Sequence, residues 1–515
     1  MINKLMQPTP EQEAIIQARF NPDIEYIVVN ARPGSGKTAT VKMTIQDIIQ
    51  KERTSNILYL VYNKAMCEDS KKSFRQAGFL DRIDCFTIHG FAFRQMGLNV
   101  RENILNFLDY KTFEDHKVSK FQTYYLNVKK ILDLYCKSPL NIKEYCQWLK
   151  ENRSNDPDLE HITDNDIKTL DVIYCYLINS KKYLHDLYLK EYASNLKSLE
   201  KYDYIFLDEA QDSTHHALSI VKTAKCKKKY IVGDVNQSIY QWNSCIDAMS
   251  AILDTEKAKE FQLSNSFRFG EDIASQANKI LKYMDNYRGN VVGVRQDIKE
   301  CDLNEKMILF RTNSAMLFWC CQDGNVDLNT YIELSAIKNG SKTKCFEEIF
   351  NDFLSLLKLL IDESGAMSLK KQFEENFNIS EKDISSKVLG MKKIASKERM
   401  SLNAFLYEQA KTNTRLDPEI SRYYSFICQS GNQIIEKLLK LKQALITENP
   451  TKRYKLMTTH ASKGLEADSV TIERDEWYDI DAQPTEEDYN LIYVALTRSK
   501  HHLEVKDEKI LALLK

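Results

Sequence analysis

The chain alternates between two textures. Short apolar, β-branched or aromatic runs end abruptly in polar residues: Tyr26-Ile27-Val28-Val29, Ile57-Leu58-Tyr59-Leu60-Val61, Tyr204-Ile205-Phe206-Leu207 and Tyr230-Ile231-Val232. Runs that are apolar throughout predict strands buried on both faces, as in a parallel sheet. Between the first two, Val41, Ile45, Ile48 and Ile49 recur at helical spacing and predict an amphipathic helix. Phe86-Thr87-Ile88-His89-Gly90-Phe91 reads as a further strand end. A second α/β unit is predicted from near Leu263, with strands at Met307–Arg311, Ser469–Ile472 and His502–Val505 and a helix over Tyr489–Lys500. From about 98 to 198, where glycine is absent, and from about 331 to 450, the pattern is helical and polar. These blocks read as insertions into two α/β units.

Composition narrows the class. Hydrophobic content of 43%, charged content of 28%, and only 15 Gly and 9 Pro fit a helix-rich globular chain. A formal charge of -1 gives no global attraction to polyanions, so a surface for them has to be local. The run Lys222, Lys225, Lys227, Lys228, Lys229 is one such surface or a solvated loop ahead of a strand. The 12 Cys include no C-x-x-C pair and read as reduced thiols, with no structural metal cluster expected. His215-His216 reads as helix surface rather than a ligand pair. No apolar run reaches membrane-spanning length and the N-terminus lacks a signal-peptide pattern, so no membrane association is expected.

The chemistry gathers where strands end. Ala31-Arg32-Pro33-Gly34-Ser35-Gly36-Lys37-Thr38 lies between the first strand and the first long helix. A glycine-rich turn there points backbone N–H groups at a polyphosphate, Lys37 reaches the β/γ-phosphates, and the Thr38 hydroxyl completes a Mg²⁺ shell. Upstream, Thr9 caps a helix opening at Pro10, and Gln12 is expected to face outward near the loop, where its carboxamide suits an adenine edge. The run Tyr204–Leu207 ends in Asp208-Glu209, which predicts Mg²⁺ binding by Asp208 and polarisation of an attacking water by Glu209. After the next strand, Gln237 is placed to sense the γ-phosphate, with Tyr240 and Trp242 facing a neighbouring groove.

Taken in order from Gln12 to Arg498, these segments resemble superfamily 1A helicases of the UvrD/Rep/PcrA type. Asp208-Glu209-Ala210-Gln211-Asp212, Asn265-Ser266-Phe267-Arg268 and the stretch from Glu487 to Arg498 resemble more closely the helicase region of F-box DNA helicases. The stretch ahead of the phosphate loop is expected to hold no F-box, and no appended nuclease domain is expected. The resemblance implies two RecA-like P-loop domains sharing one ATP site. It implies domain 1A over 1–97 and 199–262, a helical 1B over 98–198, domain 2A over 263–330 and 451–515, and a short helical 2B over 331–450. The first domain supplies Gln12 to adenine and Ala31, Pro33, Gly34, Ser35, Gly36, Lys37 and Thr38 to the phosphates. Asp208 and Thr38 hold Mg²⁺, Glu209 activates water and Gln237 meets the γ-phosphate. Phe267 stacks on adenine, Gly464 and Glu466 lie on the nucleotide side, and Arg268 and Arg498 reach the γ-phosphate. Ala39 stands where many bacterial members carry an adenine-side arginine.

The same resemblance assigns Tyr62, Lys64, Thr87, His89, Tyr240, Trp242 and His460 to a nucleic-acid strand. Aromatic stacking is sequence-tolerant, worth about 1–3 kcal/mol per base, and suits a strand gripped and released repeatedly. The implied function is an ATP-driven single-stranded DNA translocase and helicase of 3′→5′ polarity. It would unwind duplex DNA or strip proteins from it in replication, repair or recombination, acting at single-strand/duplex junctions with recombination or replication proteins as possible partners. An RNA-directed motor and a nucleotide-gated DNA clamp or anti-recombinase are the alternatives. The implied setting is intracellular: cytoplasm for a bacterial or viral protein, nucleus for a eukaryotic one.

Overall fold

In the computed structural model the described residues are 7–105, 121–156, 159–240, 245–255, 257–297, 302–322, 324–327, 329–335, 337–338, 341–342, 346–412, 418–448, 450–478 and 483–515. The chain divides at Ser264 and Asn265 into two compact units. Each is built on a parallel sheet flanked by helices.

The first unit carries six strands: β1 (Tyr26–Ala31), β2 (Ile57–Val61), β3 (Ile83–Thr87), β4 (Tyr204–Asp208), β5 (Lys228–Gly233) and β6 (Ala258–Leu263). Their order is β3-β2-β4-β5-β1-β6, all parallel. The four central strands are buried at every position, which explains their continuous apolar runs. Edge strand β6, sequence Ala-Lys-Glu-Phe-Gln-Leu, is half-buried and polar, so its sequence gave no strand signal.

Alternation along the strands divides the core in two. Ile27, Val29, Ile57, Tyr59, Val61, Phe206 and Val232 face α2 (Lys37–Lys51) and α3 (Lys64–Gln76) through Val41, Ile45, Ile48 and Phe74. Val28, Leu58, Leu60, Ile205, Leu207 and Ile231 share the opposite core with Val128, Ile131, Leu149, Leu170 and Leu177 of the helical block. That block contains helices Phe121–Lys137, Ile142–Asn152, Asp164–Asn179 and His185–Asn195. These helices pack on one another, and their core is continuous with that face of the sheet through His185–Asn195, which lies against the helices Ile88–Gln95 and His215–Thr223.

The second unit repeats the plan with β7 (Glu305–Phe310), β8 (Thr330–Ser335), β9 (Lys452–Thr458), β10 (Ala467–Ile472) and β11 (Ser499–Val505). These form a parallel sheet in the order β8-β9-β7-β10-β11. β8 occupies the start of the stretch expected to be helical from 331, so the helices begin later, from Phe346. Ile308, Phe310, Ile332, Leu334 and Leu456 share a core with Phe353, Leu357, Tyr423 and Leu438 from those helices. The helix expected to reach Lys500 ends at Leu496, because Ser499 already pairs with Ala467 in the sheet.

Two surface expectations are corrected. Lys228 and Lys229 are buried strand residues: Lys228 Nζ donates to the Asn21 and Ile24 carbonyls, and Lys229 Nζ lies 2.9 Å from Glu25 Oε1. Lys222, Lys225 and Lys227 stay exposed, the last two beside Glu200 and Glu52, so the run does not present five lysines on one surface. His216 is buried, with Nε2 donating to the Cys136 carbonyl at 2.7 Å; only its neighbour His215 is exposed.

Candidate functional site

Strand register brings three polar strand ends together. Asp208 on β4 is level with Val232 on β5, and Gly233 is level with Asn30 on β1. The carboxyl edge of a parallel sheet is where crossover helices begin and ligands bind. Here the loop from β1 to α2 turns through Gly34 and Gly36, with φ of 73° and 80°, a left-handed backbone that a Cβ disfavours. The chain then enters the 15-residue α2 at Lys37, whose first-turn N–H groups and dipole favour an anion. Thr38 is exposed in that turn, and the Ser35 hydroxyl is buried in the loop without a hydrogen-bond partner. An orphaned hydroxyl and open N–H groups at one turn fit phosphate oxygens.

Lys37 is the electrostatic centre of the edge. Its ammonium pairs with Glu209 Oε1 and stands 3.4 Å from Asp208 Oδ1. Burial alone lowers a lysine pKa; here the two carboxylates outweigh it and hold Lys37 above its ordinary value, fixing it as a cation. Glu209 takes φ of 54°, a left-handed conformation that costs a non-glycine residue roughly 1 kcal/mol or more. Its N–H donates to Asp208 Oδ1 at 2.9 Å, and Gln211 Nε2 donates to its Oε2 at 2.5 Å. The strained backbone is thus pinned from both sides, with the carboxylate turned onto Lys37.

The network continues below the loop. Gln211 Oε1 accepts the Asp234 N–H at 3.1 Å, Asp234 Oδ2 accepts Gln237 Nε2 at 2.8 Å, and Arg32 Nη1 donates to Asn236 Oδ1 at 2.5 Å and to Asp234 Oδ1 at 3.3 Å. Arg32, Gln211, Asp234 and Asn236 are all buried. Sequence reasoning assigned none of the four a role, although each lies inside or beside a run singled out for its neighbours. Buried polar residues within a motif were the available signal. Gln12 corrects its expectation: it is buried rather than outward-facing, with Oε1 accepting the Thr9 N–H and Nε2 donating to Thr40 Oγ1, both at 3.0 Å.

Among the residues that the resemblance assigns to a nucleic-acid strand, the Tyr62 and Tyr240 rings stack with centroids 5.7 Å apart and planes 11° from parallel. Lys64 opens α3 behind its cap Asn63. Thr87 caps α4 (Ile88–Gln95), its Oγ1 accepting the Gly90 N–H at 3.0 Å. His89 Nε2 lies 3.0 Å from Asp186 Oδ1 and its ring 4.6 Å from that of His185, which ties it to the helical block. The potential ligand atoms of His89, His185 and Asp186 lie within 4.8 Å of one another, a spacing open to a divalent cation. Trp242 lies outside the described residues.

In the second unit Phe267, Arg268, Glu466 and Arg498 gather. Phe267 is exposed, while Arg268 Nε donates to Glu466 Oε2 and its Nη1 to the Thr497 carbonyl, both at 2.8 Å. Burial raises the Glu466 carboxyl, but Arg268 and Lys500 outweigh it and hold the pKa below the usual value. Gly464 adopts φ of 82° between His460, on the short helix Thr459–Ser462, and Glu466. Arg498 is buried, donating from Nε to the Val494 carbonyl at 2.9 Å and from Nη1 to the Leu465 carbonyl at 3.3 Å. Its guanidinium is bound to its own unit rather than extended.

Residues 9–257 match the UvrD/REP helicase N-terminal domain and residues 455–505 the UvrD-like helicase C-terminal domain, together more than half of the chain. The chain belongs to the UvrD/REP helicase family. Its two sheets are accordingly RecA-like P-loop folds. Among curated relatives, F-box DNA helicase 1 of Gallus gallus is 24% identical over 98% of this chain and 50% of its own length. F-box DNA helicase protein 1 of Schizosaccharomyces pombe is 25% identical over 97% of this chain and 57% of its own. A probable DNA helicase II homologue of Mycoplasma genitalium is 23% identical over 92% and 82%. The chain thus spans between half and three-fifths of the two F-box helicases and most of the mycoplasma relative. Among the described residues, no helix is long and apolar enough to cross a membrane.

Proposed function

We propose that this UvrD/REP family member hydrolyses ATP and uses the cycle to move along single-stranded DNA, unwinding duplex or displacing bound protein in replication, repair or recombination. The observation that carries the proposal is Lys37 held as a cation between Asp208 and Glu209 at the mouth of a phosphate loop. A γ-phosphate competes with Glu209 for that ammonium. Displaced from it, the Glu209 carboxylate is free to orient water, while Lys37 neutralises the charge that gathers on the transferred phosphoryl group. The oxygen donors of Thr38 and Asp208 suit Mg²⁺, which when bound would neutralise phosphate charge. Gln237, hydrogen-bonded to Asp234 and through it to Gln211 and Glu209, gives the edge a route for sensing the γ-phosphate.

Arg268 and Arg498 would act from the second unit by exchanging carbonyl and carboxylate partners for phosphate oxygens, which makes hydrolysis conditional on closure. An arginine finger is typically worth about 10³–10⁵ in rate. Phe267, exposed beside Arg268, is suited to stack on adenine. On the strand side, the Tyr62–Tyr240 pair offers aromatic faces to bases, with Lys64 and His89 near the backbone and His460 contributing from the second unit. Polarity is 3′→5′ by analogy with the UvrD/Rep/PcrA type.

The deciding experiment measures ATP hydrolysis with no polymer, with single-stranded DNA and with single-stranded RNA, using Lys37→Ala as control. Stimulation by DNA, lost in the variant, supports the DNA motor. Equal stimulation by RNA supports the RNA-directed alternative, and a rate indifferent to both polymers refutes a strand-coupled ATPase. A strand-displacement assay then separates a helicase from a clamp.

A further inference from the structure

Asp208 carries an interaction that the family assignment does not supply. Its Oδ2 accepts a hydrogen bond from the Tyr59 hydroxyl at 2.5 Å, while Oδ1 accepts the Glu209 N–H at 2.9 Å and faces Lys37 at 3.4 Å. Tyr59 sits in the middle of β2, one strand away from β4, and its ring is locked by an edge contact with Phe74 and a tilted contact with Phe206, at centroid distances of 5.2 and 6.4 Å. Both Tyr59 and Asp208 are buried.

The hydroxyl is not there to meet a general demand of this face of the sheet. Tyr230 lies on the same face with its hydroxyl buried and unpartnered, so a phenol is tolerated here without a carboxylate. A carboxylate, in contrast, rotates about a broad two-fold torsion, and each oxygen has lone pairs to satisfy. A rigid phenol bonded to Oδ2 removes that freedom. It leaves Oδ1 as the oxygen aimed at Lys37 and the phosphate loop.

We infer that Tyr59 is a positioning residue that fixes the Asp208 carboxylate so that Oδ1 faces the divalent cation accompanying the nucleotide. The inference rests on the ATP-site reading above. Partners that orient a metal-ligating carboxylate typically change metal affinity or activity by about 10–100-fold when removed. Tyr59→Phe keeps the ring and its contacts with Phe74 and Phe206 and deletes only the oxygen.

The test titrates Mn²⁺, followed by its electron paramagnetic resonance signal, into full-length protein saturated with a non-hydrolysable ATP analogue. Wild type, Tyr59→Phe and Tyr230→Phe are compared, alongside analogue affinity in EDTA and thermal midpoint without nucleotide. The expected result is Mn²⁺ affinity weakened about tenfold or more in Tyr59→Phe alone, with metal-free analogue affinity unchanged and a thermal midpoint a few degrees lower, as the loss of one buried hydrogen bond to a carboxylate requires. A merely structural role would move the thermal midpoint and leave Mn²⁺ affinity alone. Mn²⁺ affinity within twofold of wild type overturns the role of Tyr59 while leaving the ATP site intact. Failure of the wild type itself to bind the metal–analogue complex overturns the ATP reading and this inference together.

Discussion

Glu209→Gln isolates the chemistry from the binding at this site. The side chains are isosteric, so the left-handed backbone at φ 54° and the approach to Lys37 persist. Two things change. The carboxamide cannot act as the base that polarises water, a loss typically worth 10²–10⁴-fold, or about 3–5 kcal/mol in the barrier. It also presents either an oxygen to Lys37 and an N–H to Gln211 Nε2, or the reverse; Gln211 cannot flip to accept without surrendering the Asp234 N–H held by its Oε1. One hydrogen bond is therefore lost whichever way the amide turns, costing about 1 kcal/mol and a few degrees of melting temperature for the first unit. Nucleotide affinity should hold or rise, because a negative charge is removed beside the phosphates while Lys37 keeps Asp208 at 3.4 Å. Single-turnover hydrolysis with saturating DNA, paired with fluorescent-nucleotide binding, measures both. Retention of more than a tenth of the wild-type rate, or a loss of binding in step with the rate, would refute the assignment of Glu209 to the water.

Other consequences follow from the same contacts. A Cβ added at Gly233 would lie 2.3 Å from Gln211 Oε1 and 3.2 Å from the Ala210 backbone nitrogen, so Gly233→Ala should break the Gln211–Asp234 link; the expected result is at least tenfold slower hydrolysis in a folded protein, read by steady-state ATPase and circular dichroism. Tyr240→Ala removes a stacking face and should weaken single-stranded DNA binding by about 1–3 kcal/mol while leaving DNA-free ATPase within twofold, measured by fluorescence anisotropy at fixed salt. Arg498→Ala should both slow hydrolysis and destabilise the second unit by about 1.5–3 kcal/mol, because the guanidinium now satisfies two backbone carbonyls; differential scanning fluorimetry checks the second effect. Burial pushes the His216 imidazole down to about 4, with its bond to the Cys136 carbonyl only partly opposing the shift. The unfolded chain, at the ordinary value near 6.5, then binds the proton first, so this stability is present above pH 6.5 and falls as the pH drops towards 4, by about 3 kcal/mol. Urea unfolding at pH 7 and pH 5 should show the loss in wild type and a shallower dependence in His216→Gln.

What the sequence alone determined was everything enforced locally. A strand buried on both faces has no polar positions to spare, so β1, β2, β4 and β5 are legible as apolar runs, and a phosphate loop requires its glycines, lysine and threonine in consecutive places. Those constraints act within a dozen residues and need no knowledge of the rest of the chain. Of the edge strands, β6 and β8 escaped: β6 is half-exposed and its polar residues carry no period-two signal, while β8 adjoined a helical texture that masked it. Tertiary structure decided which atoms the site residues hold. Arg32 with Asn236, Gln211 with Asp234, Tyr59 with Asp208 and Lys37 with Glu209 are pairs separated by 204, 23, 149 and 172 positions, brought together only by parallel strand order. The fold also turned Gln12 inward, buried Arg498 against carbonyls and gave Lys228 and Lys229 internal partners. Residue type and spacing specify a capacity to donate, accept or carry charge; which partner satisfies it depends on desolvation and on what the fold places within about 3 Å.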